Sequence, residues 1–160
     1  MSDDRGRADR AFKAGLPAGD GMLLDELTRC LPADGCIAFL SRQNMAAPFS
    51  AEELTELRRF CESSLGGRQA FRDRELEKRR QVLVRRAGVF LKAVDELTVA
   101  GCSGRVGVPA EWMEEEPSRF DVAVYRLNRF AERVVRAYVA LVGEAGARLA
   151  PEGAAESGRT

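Results

Sequence analysis

The residue types that most often carry catalysis set the first limits on the chemistry of this chain. It contains no histidine, which excludes Ser-His-Asp and Cys-His catalytic pairs, HExxH metalloprotease helices, Cys2His2 zinc sites and Glu-x-x-His di-iron motifs. Cys61 and Cys102 remain candidate nucleophiles, but only a neighbouring arginine or a helix terminus could lower the pKa of either thiol. We expect both to be structural thiols and the protein not to be an enzyme.

Cofactor and metal motifs are also missing from the sequence. The glycine-rich stretch at 101–107 reads GCSGRVGV with the next residue, which lacks the lysine and the preceding strand of a phosphate-binding loop. The acidic residues at 95–96 and 114–116 are adjacent in sequence and point to different faces of a helix, unlike the oxygen ligands of a calcium loop. We predict no cofactor, no metal and no small-molecule substrate.

The cysteines and the apolar stretches bear on location. The four cysteines, at positions 30, 36, 61 and 102, form no CxxC pair. The N-terminal sequence is charged and lacks the apolar segment of a secretory signal, and the longest uncharged stretch, 43–51, is too short to span a membrane. The sequence therefore predicts reduced cysteines in a cytoplasmic protein with no membrane partner.

Arginine is the charged residue that could still form a binding surface. The chain has 25 basic and 25 acidic residues, so its net charge is +0 and only local patches could attract an anion; 22 of the basic residues are arginine. With about 100° per residue, the last predicted helix places its apolar residues on one face and an arginine stripe roughly opposite. The stripe is either a solvated outer face or a surface for an acidic partner, and it comprises Arg119, Arg126, Arg129, Arg133 and Arg136.

A second basic region lies at the start of the long central helix. Arg72, Arg79 and Arg80 fall at the angles that apolar residues occupy further along this helix, and eight basic and three acidic residues give 68–86 a net charge of +5. We therefore expect 68–81 to project beyond the bundle or to lie across its rim as a basic spur. Replacing the three arginines with glutamate should then leave the fold intact.

An acidic segment with one tryptophan follows the glycine loop. Trp112 and Met113 are surrounded by four glutamates at 111 and 114–116. Because tryptophan is frequent among interface anchors, this segment could meet the basic spur of the same chain or of another copy. Alternatively, Trp112 folds back over the core of its own bundle.

Hydrophobic periodicity indicates an all-α fold. Ser50 and Glu53 form a capping-box pattern, with Phe49 and Leu54 placed as a hydrophobic staple. Pro117-Ser118 with an aspartate at position 121 resembles a second box. The apolar run 36–40 is compatible with a helix or a strand, and we favour a helix because no second strand candidate exists to pair with it. Helices are predicted over about 22–31, 36–40, 51–65, 68–99, 111–116 and 119–142, with Gly143 closing the last.

These elements predict a small helical bundle, in which two long helices form an antiparallel hairpin and shorter N-terminal helices pack beside it. The charged and glycine-containing ends predict three regions: a flexible N-terminal arm at 1–20, the bundle at 21–145 and a disordered C-terminal tail at 146–160.

The function that we predict is a non-enzymatic, helical protein–protein interaction module, an adaptor or assembly protein that binds a protein partner or self-associates as an oligomer. The alternative is a nucleic-acid-binding protein that uses the same arginines on phosphates, although the zero net charge and the scarcity of aromatic residues near the spur argue against it. The partner-binding candidates are Arg72, Arg79, Arg80, Trp112, Met113, Arg126, Arg129, Arg133 and Arg136.

Overall fold

The chain folds mainly into helices, as the sequence predicts. The structure is a computed structural model that describes residues 19–66, 70–101 and 103–149. Most of the predicted arm and tail, 1–18 and 150–160, lie outside the described residues. In chain order, the described elements are α1 (Asp20–Cys30), α2 (Cys36–Arg42), β1 (Phe49–Ser50), a 3-10 turn (Ala51–Leu54), α3 (Thr55–Leu65), α4 (Arg74–Leu97), β2 (Val99–Ala100), β3 (Arg105–Gly107), α5 (Glu111–Glu115) and α6 (Pro117–Leu149).

The two long helices, α4 and α6, share the largest packing interface among the described elements. Each contributes one apolar face, because hydrophobic residues three and four positions apart lie on the same side of a helix. The buried residues of α4 are Leu76, Leu83, Ala87, Phe90, Leu91, Ala93 and Val94. Those of α6 include Leu127, Ala131, Val134, Tyr138 and Leu141. The predicted core faces of both helices are confirmed.

The segment 36–40 is helical, as predicted. The backbone N–H of Cys36 donates to Glu56 Oε2 at 2.8 Å, so a side chain of α3 satisfies an N–H in the first turn of α2. A Cβ at the preceding Gly35 would lie 2.5 Å from the same oxygen. A larger residue at position 35 would therefore displace the Glu56 carboxylate from the start of α2.

Ser50 begins a helical segment, but through a tighter first turn than a capping box provides. Its hydroxyl accepts from the N–H of Glu52 at 3.4 Å, and residues 51–54 form a 3-10 turn before α3 starts. Phe49 and Leu54 are both buried, in agreement with the predicted staple positions.

A small antiparallel sheet corrects the prediction of a fold without strands. Its order is β1-β3-β2, with Phe49 opposite Val106 and Val99 opposite Gly107. The sheet was missed because strands of two or three residues are too short to show an alternating pattern. The loop predicted over 101–109 thus contains β3, and the long helix ends at Leu97 rather than at Val99.

The ends of the long helices also differ from the prediction. α6 begins at Pro117, since proline suits the first helical position, where its missing N–H needs no partner; Ser118 lies inside the helix and is not its cap. α6 then continues through Gly143 to Leu149. Its last turns are held by Ala145, which is buried, and by Arg148, whose guanidinium pairs with Glu144. The helix therefore extends into the segment predicted as tail.

Candidate functional site

The start of α4 does not project from the bundle, which corrects the projecting form of the predicted basic spur. Leu76 is fully buried there. Arg80 donates from Nη2 and Nε to the two carboxylate oxygens of Glu77, at 2.7 and 2.9 Å, and these side chains are only 13% and 17% exposed. Arg79 contacts Glu75 at 3.3 Å and Glu144 of α6 at 3.9 Å. Both arginines are thus engaged within the fold.

Glu77 is a structural carboxylate with several donors. Besides Arg80, it accepts from the backbone N–H of Phe71 at 2.8 Å and from Gln81 Nε2 at 3.1 Å. Burial raises the pKa of Glu77, but these hydrogen bonds to the ionised form outweigh burial and lower its pKa overall. The ionised carboxylate therefore stabilises the turn that leads into α4.

The residues just before α4 are held by a buried aspartate. Asp20, 2% exposed in the first turn of α1, accepts from the N–H of Arg72 at 2.8 Å and of Asp73 at 2.9 Å. The Asp73 carboxylate in turn accepts from the N–H of Glu75 and Leu76 and so caps α4. α4 begins at Arg74 because its capping residue is Asp73. Arg72, which precedes the cap, is exposed.

Trp112 lies against the protein's own helices. It is half-buried on α5, which packs on α6, and the Arg119 guanidinium carbon is 3.7 Å from its ring centroid. Arg119 also pairs with Glu116 at 3.1 Å. The arginine covers the tryptophan, whereas Met113 is 58% exposed. Trp112 thus contacts α6 through Arg119, but it is not one of the residues packed against the hydrophobic core.

The arginine stripe of α6 is on the surface. Glu132 accepts from Arg129 Nη1 at 3.2 Å and from Arg136 Nη2. Arg126 and Arg133 each have their guanidinium carbon 5.8 Å from the ring centroid of Phe130, which lies between them. The stripe is therefore ordered into a central ion-paired group and two arginines on one flank.

Three exposed apolar side chains share this surface, and the sequence analysis did not single them out. Val122, Tyr125 and Val139 are 58%, 68% and 60% exposed. At about 100° per residue they fall among the arginines, opposite the buried face. Their spacing is the signal that could have identified them, because apolar residues opposite a complete core face have no core to fill. We call the following set the outer face of α6: Val122, Tyr125, Arg126, Arg129, Glu132, Arg133, Arg136 and Val139.

The described cysteines are free thiols. Burial and the nearby Glu56 raise the pKa of Cys36 to about 12, and burial and Glu62 raise that of Cys61 to about 11. Since the thiolate is the nucleophile, both thiols are poorly reactive at neutral pH. Cys30 is exposed, and Cys102 lies outside the described residues.

A groove between the sheet and α4 offers no free charge to a ligand. Phe49, Val94 and Val106 contribute to its lining. The Arg58 and Asp95 side chains at this groove pair with each other at 2.7 Å. Within residues 19–66, 70–101 and 103–149, no group of three or more cysteine and carboxylate side chains could hold a metal ion, and no described helix is long and apolar enough to cross a membrane.

Comparison of the chain with protein-family models, curated proteins and solved structures finds no significant match. The fold and the described surface define an all-α protein with a three-stranded accessory sheet and a mixed apolar and arginine face on its longest helix.

Proposed function

We propose that this protein is a non-enzymatic, helical interaction module and that the outer face of α6 is its docking surface for protein. The observation that carries the proposal is the exposure of Val122, Tyr125 and Val139 between arginines on one helix face. The adaptor or assembly role predicted from the sequence is thereby assigned to α6 rather than to the start of α4.

The composition of this face favours a protein partner. Tyrosine and arginine are enriched among the residues that dominate binding energy at protein interfaces. Burial of a valine side chain contributes roughly 1.5–3 kcal/mol in the limit of full burial. Val122 and Val139 are the apolar ends of a face about 26 Å long, since they are 17 residues apart in one helix. A partner helix could cover both ends at once.

Nucleic acid is a less suitable ligand for the same arginines. A phosphate-binding surface needs an excess of positive charge, but Glu132 lies within the stripe, beside Arg129 and Arg136, and lowers that excess. The exposed valines would also lie next to phosphates that they cannot bind. We therefore place protein association ahead of phosphate contacts.

The proposal includes a finer arrangement of the bundle. We infer that α4 and α6 run antiparallel, supported by the ion pair between Arg148 in the last turn of α6 and Asp73 at the start of α4. We also infer a cytoplasmic location, supported by the free thiol of the exposed Cys30.

Affinity capture from cells that express the protein tests the function. The bait is the full chain, with V122S/Y125S/V139S as the test variant and M22S/L65S/V99S as the matched control, since Met22, Leu65 and Val99 are exposed apolar residues elsewhere. Each lysate is divided into an untreated and a nuclease-treated half, and a second, differently tagged copy is present in both. We expect wild type and control to retain the same proteins, including any second copy, and the test variant to lose them. Equal capture by all three baits, or capture that nuclease abolishes, would overturn the proposal.

A further inference from the structure

Six positions of the outer face of α6 are complementary to the same six positions of a second copy, namely Val122, Tyr125, Arg129, Glu132, Arg136 and Val139. We propose that the partner of this face is a second copy of this chain, docked through α6 in antiparallel orientation about a two-fold axis; this inference rests on the proposed function.

The spacing of the outer face matches that of a helix-pairing seam. Val122, Tyr125, Arg129, Glu132, Arg136 and Val139 recur at alternating steps of three and four residues. This is the spacing at which side chains meet a second helix. The residues between them that are buried, such as Leu127 and Val134, point to the other side, into the bundle. α6 therefore presents one seam inward and a second seam outward.

In antiparallel orientation, the seam sets groups that attract one another in facing positions. Setting Val122 opposite the partner's Val139 brings Tyr125 opposite the partner's Arg136 and Arg129 opposite the partner's Glu132. The valines exclude water at both ends, the tyrosine ring accepts a cation over its face, and the central pair is ionic. Because the contact is isologous, the two-fold axis repeats each of the three pairings.

The parallel orientation in register is disfavoured by the same charges. It would set Arg129 against the partner's Arg129 and Glu132 against the partner's Glu132. Like charges placed together across an interface are costly. The charge order of the seam thus selects the antiparallel pair.

The size of the face sets the strength that we expect. The area that a single helix face about 26 Å long can bury is smaller than the roughly 800 Å² per partner of a standard stable interface. We expect a reversible dimer with a dissociation constant in the micromolar range. The intramolecular pairs of Glu132 with Arg129 and Arg136 are exposed, so they can rearrange to the partner at small cost.

Charge reversal with mixing tests both the dimer and its register. The full-length variants are R129E and E132R, analysed separately and as an equimolar mixture by sedimentation equilibrium at concentrations up to several hundred micromolar. Each variant alone sets like charges opposite at both central positions, whereas a heterodimer of the two sets glutamate against arginine at both. We expect wild type to dimerise, each variant to be at least tenfold weaker, and the mixture to recover dimer. R85E and E62R are matched controls, because Arg85 and Glu62 are exposed on other helices.

Recovery in the mixture also shows that each variant is folded. A monomeric wild type, unimpaired single variants, or a mixture that stays monomeric would overturn the antiparallel dimer. If wild type is monomeric but still captures another protein through Val122, Tyr125 and Val139, the proposed function stands with a different partner. If dimerisation persists in V122S/Y125S/V139S, the outer face of α6 is not the docking surface for a second copy.

Discussion

Arg148, in the last turn of α6, is ion-paired with Asp73, the residue that caps α4. One carboxylate therefore satisfies two N–H groups at the start of one long helix and a guanidinium at the end of the other. Glu144, one turn before Arg148, is a further acceptor, and its hydrogen bond and the charge of Asp73 raise the pKa of Arg148. The two long helices are joined at this end by charge as well as by their shared core.

Substitution of Asp73 should separate its capping role from its ionic role. D73A removes both the cap and the ion pair, whereas D73N keeps a side chain that caps well and removes only the charge. We expect D73A to be destabilised by about 1 kcal/mol or more from the cap alone, and D73N by less. Urea unfolding at neutral pH measures the difference. Equal losses for the two variants would mean that the cap contributes nothing.

Arginine reversal at the start of α4 should divide the predicted spur into two kinds of residue. R80E sets two largely buried carboxylates against each other, and we expect a loss on the order of 2 kcal/mol, below the about 3–5 kcal/mol of fully buried pairs. Because Arg72 is exposed, the stability of R72E should stay within about 0.5 kcal/mol of that of wild type. Melting temperatures of both variants check this. A melting temperature of R80E equal to that of wild type would show that the pair of Arg80 with Glu77 does not stabilise the fold.

Thiol reactivity should follow the raised pKa values. In a C102S background, which removes the cysteine outside the described residues, we expect one fast thiol, Cys30, and slow reaction of Cys36 and Cys61 with a disulfide reagent at pH 8. The pKa values of Cys36 and Cys61 in the folded protein exceed the ordinary value for a thiol. Above about pH 8.5 the unfolded chain loses these protons first, so the free energy of unfolding falls as pH rises. Three fast thiols in the native protein would contradict the buried environment.

The sequence was sufficient for the helices and their core faces because a long amphipathic helix repeats its signal over many turns. Leu83, Phe90, Leu127 and Val134 could be assigned to the core in this way. The strands were too short to show a period, and the proposed break at Gly143 was overridden by packing and ion pairs of the next turn.

The errors at the candidate site have a different cause. A helical wheel shows that Arg80 occupies a core angle but not that Glu77 shields it, or that Asp20 of another helix holds the preceding backbone. The same wheel placed the arginines of α6 outside correctly. A wheel does not single out Val122, because one apolar residue on a charged face leaves the direction of the core unchanged.

Reversal of a flanking arginine should strengthen the proposed dimer. In the antiparallel register, Arg126 lies on the edge of the seam, one position after Tyr125, alongside the partner's Arg133, so two arginine pairs repel. R126E would make both pairs attractive. Two exposed pairs of about 0.2–1 kcal/mol each correspond to a roughly two- to thirtyfold tighter dimer. Sedimentation at several concentrations measures this. Weaker self-association of R126E would argue against the register. A phosphate-binding stripe predicts instead that R126E binds nucleic acid more weakly.

The antiparallel pairing of α6 is tested most directly by disulfide trapping between two cysteines, one introduced in each copy. V122C and V139C are prepared as full chains in a C30S/C102S background, which removes the exposed thiol and the one outside the described residues, and are oxidised separately and as a mixture. A disulfide needs Cα atoms within about 7 Å, whereas the antiparallel pair sets position 122 about 26 Å along the helix from position 122 of the partner. We predict that the mixture forms a covalent dimer between V122C and V139C and that neither variant alone does so efficiently. Efficient cross-linking of V122C to itself, or no cross-linking in the mixture, would contradict the proposed dimer.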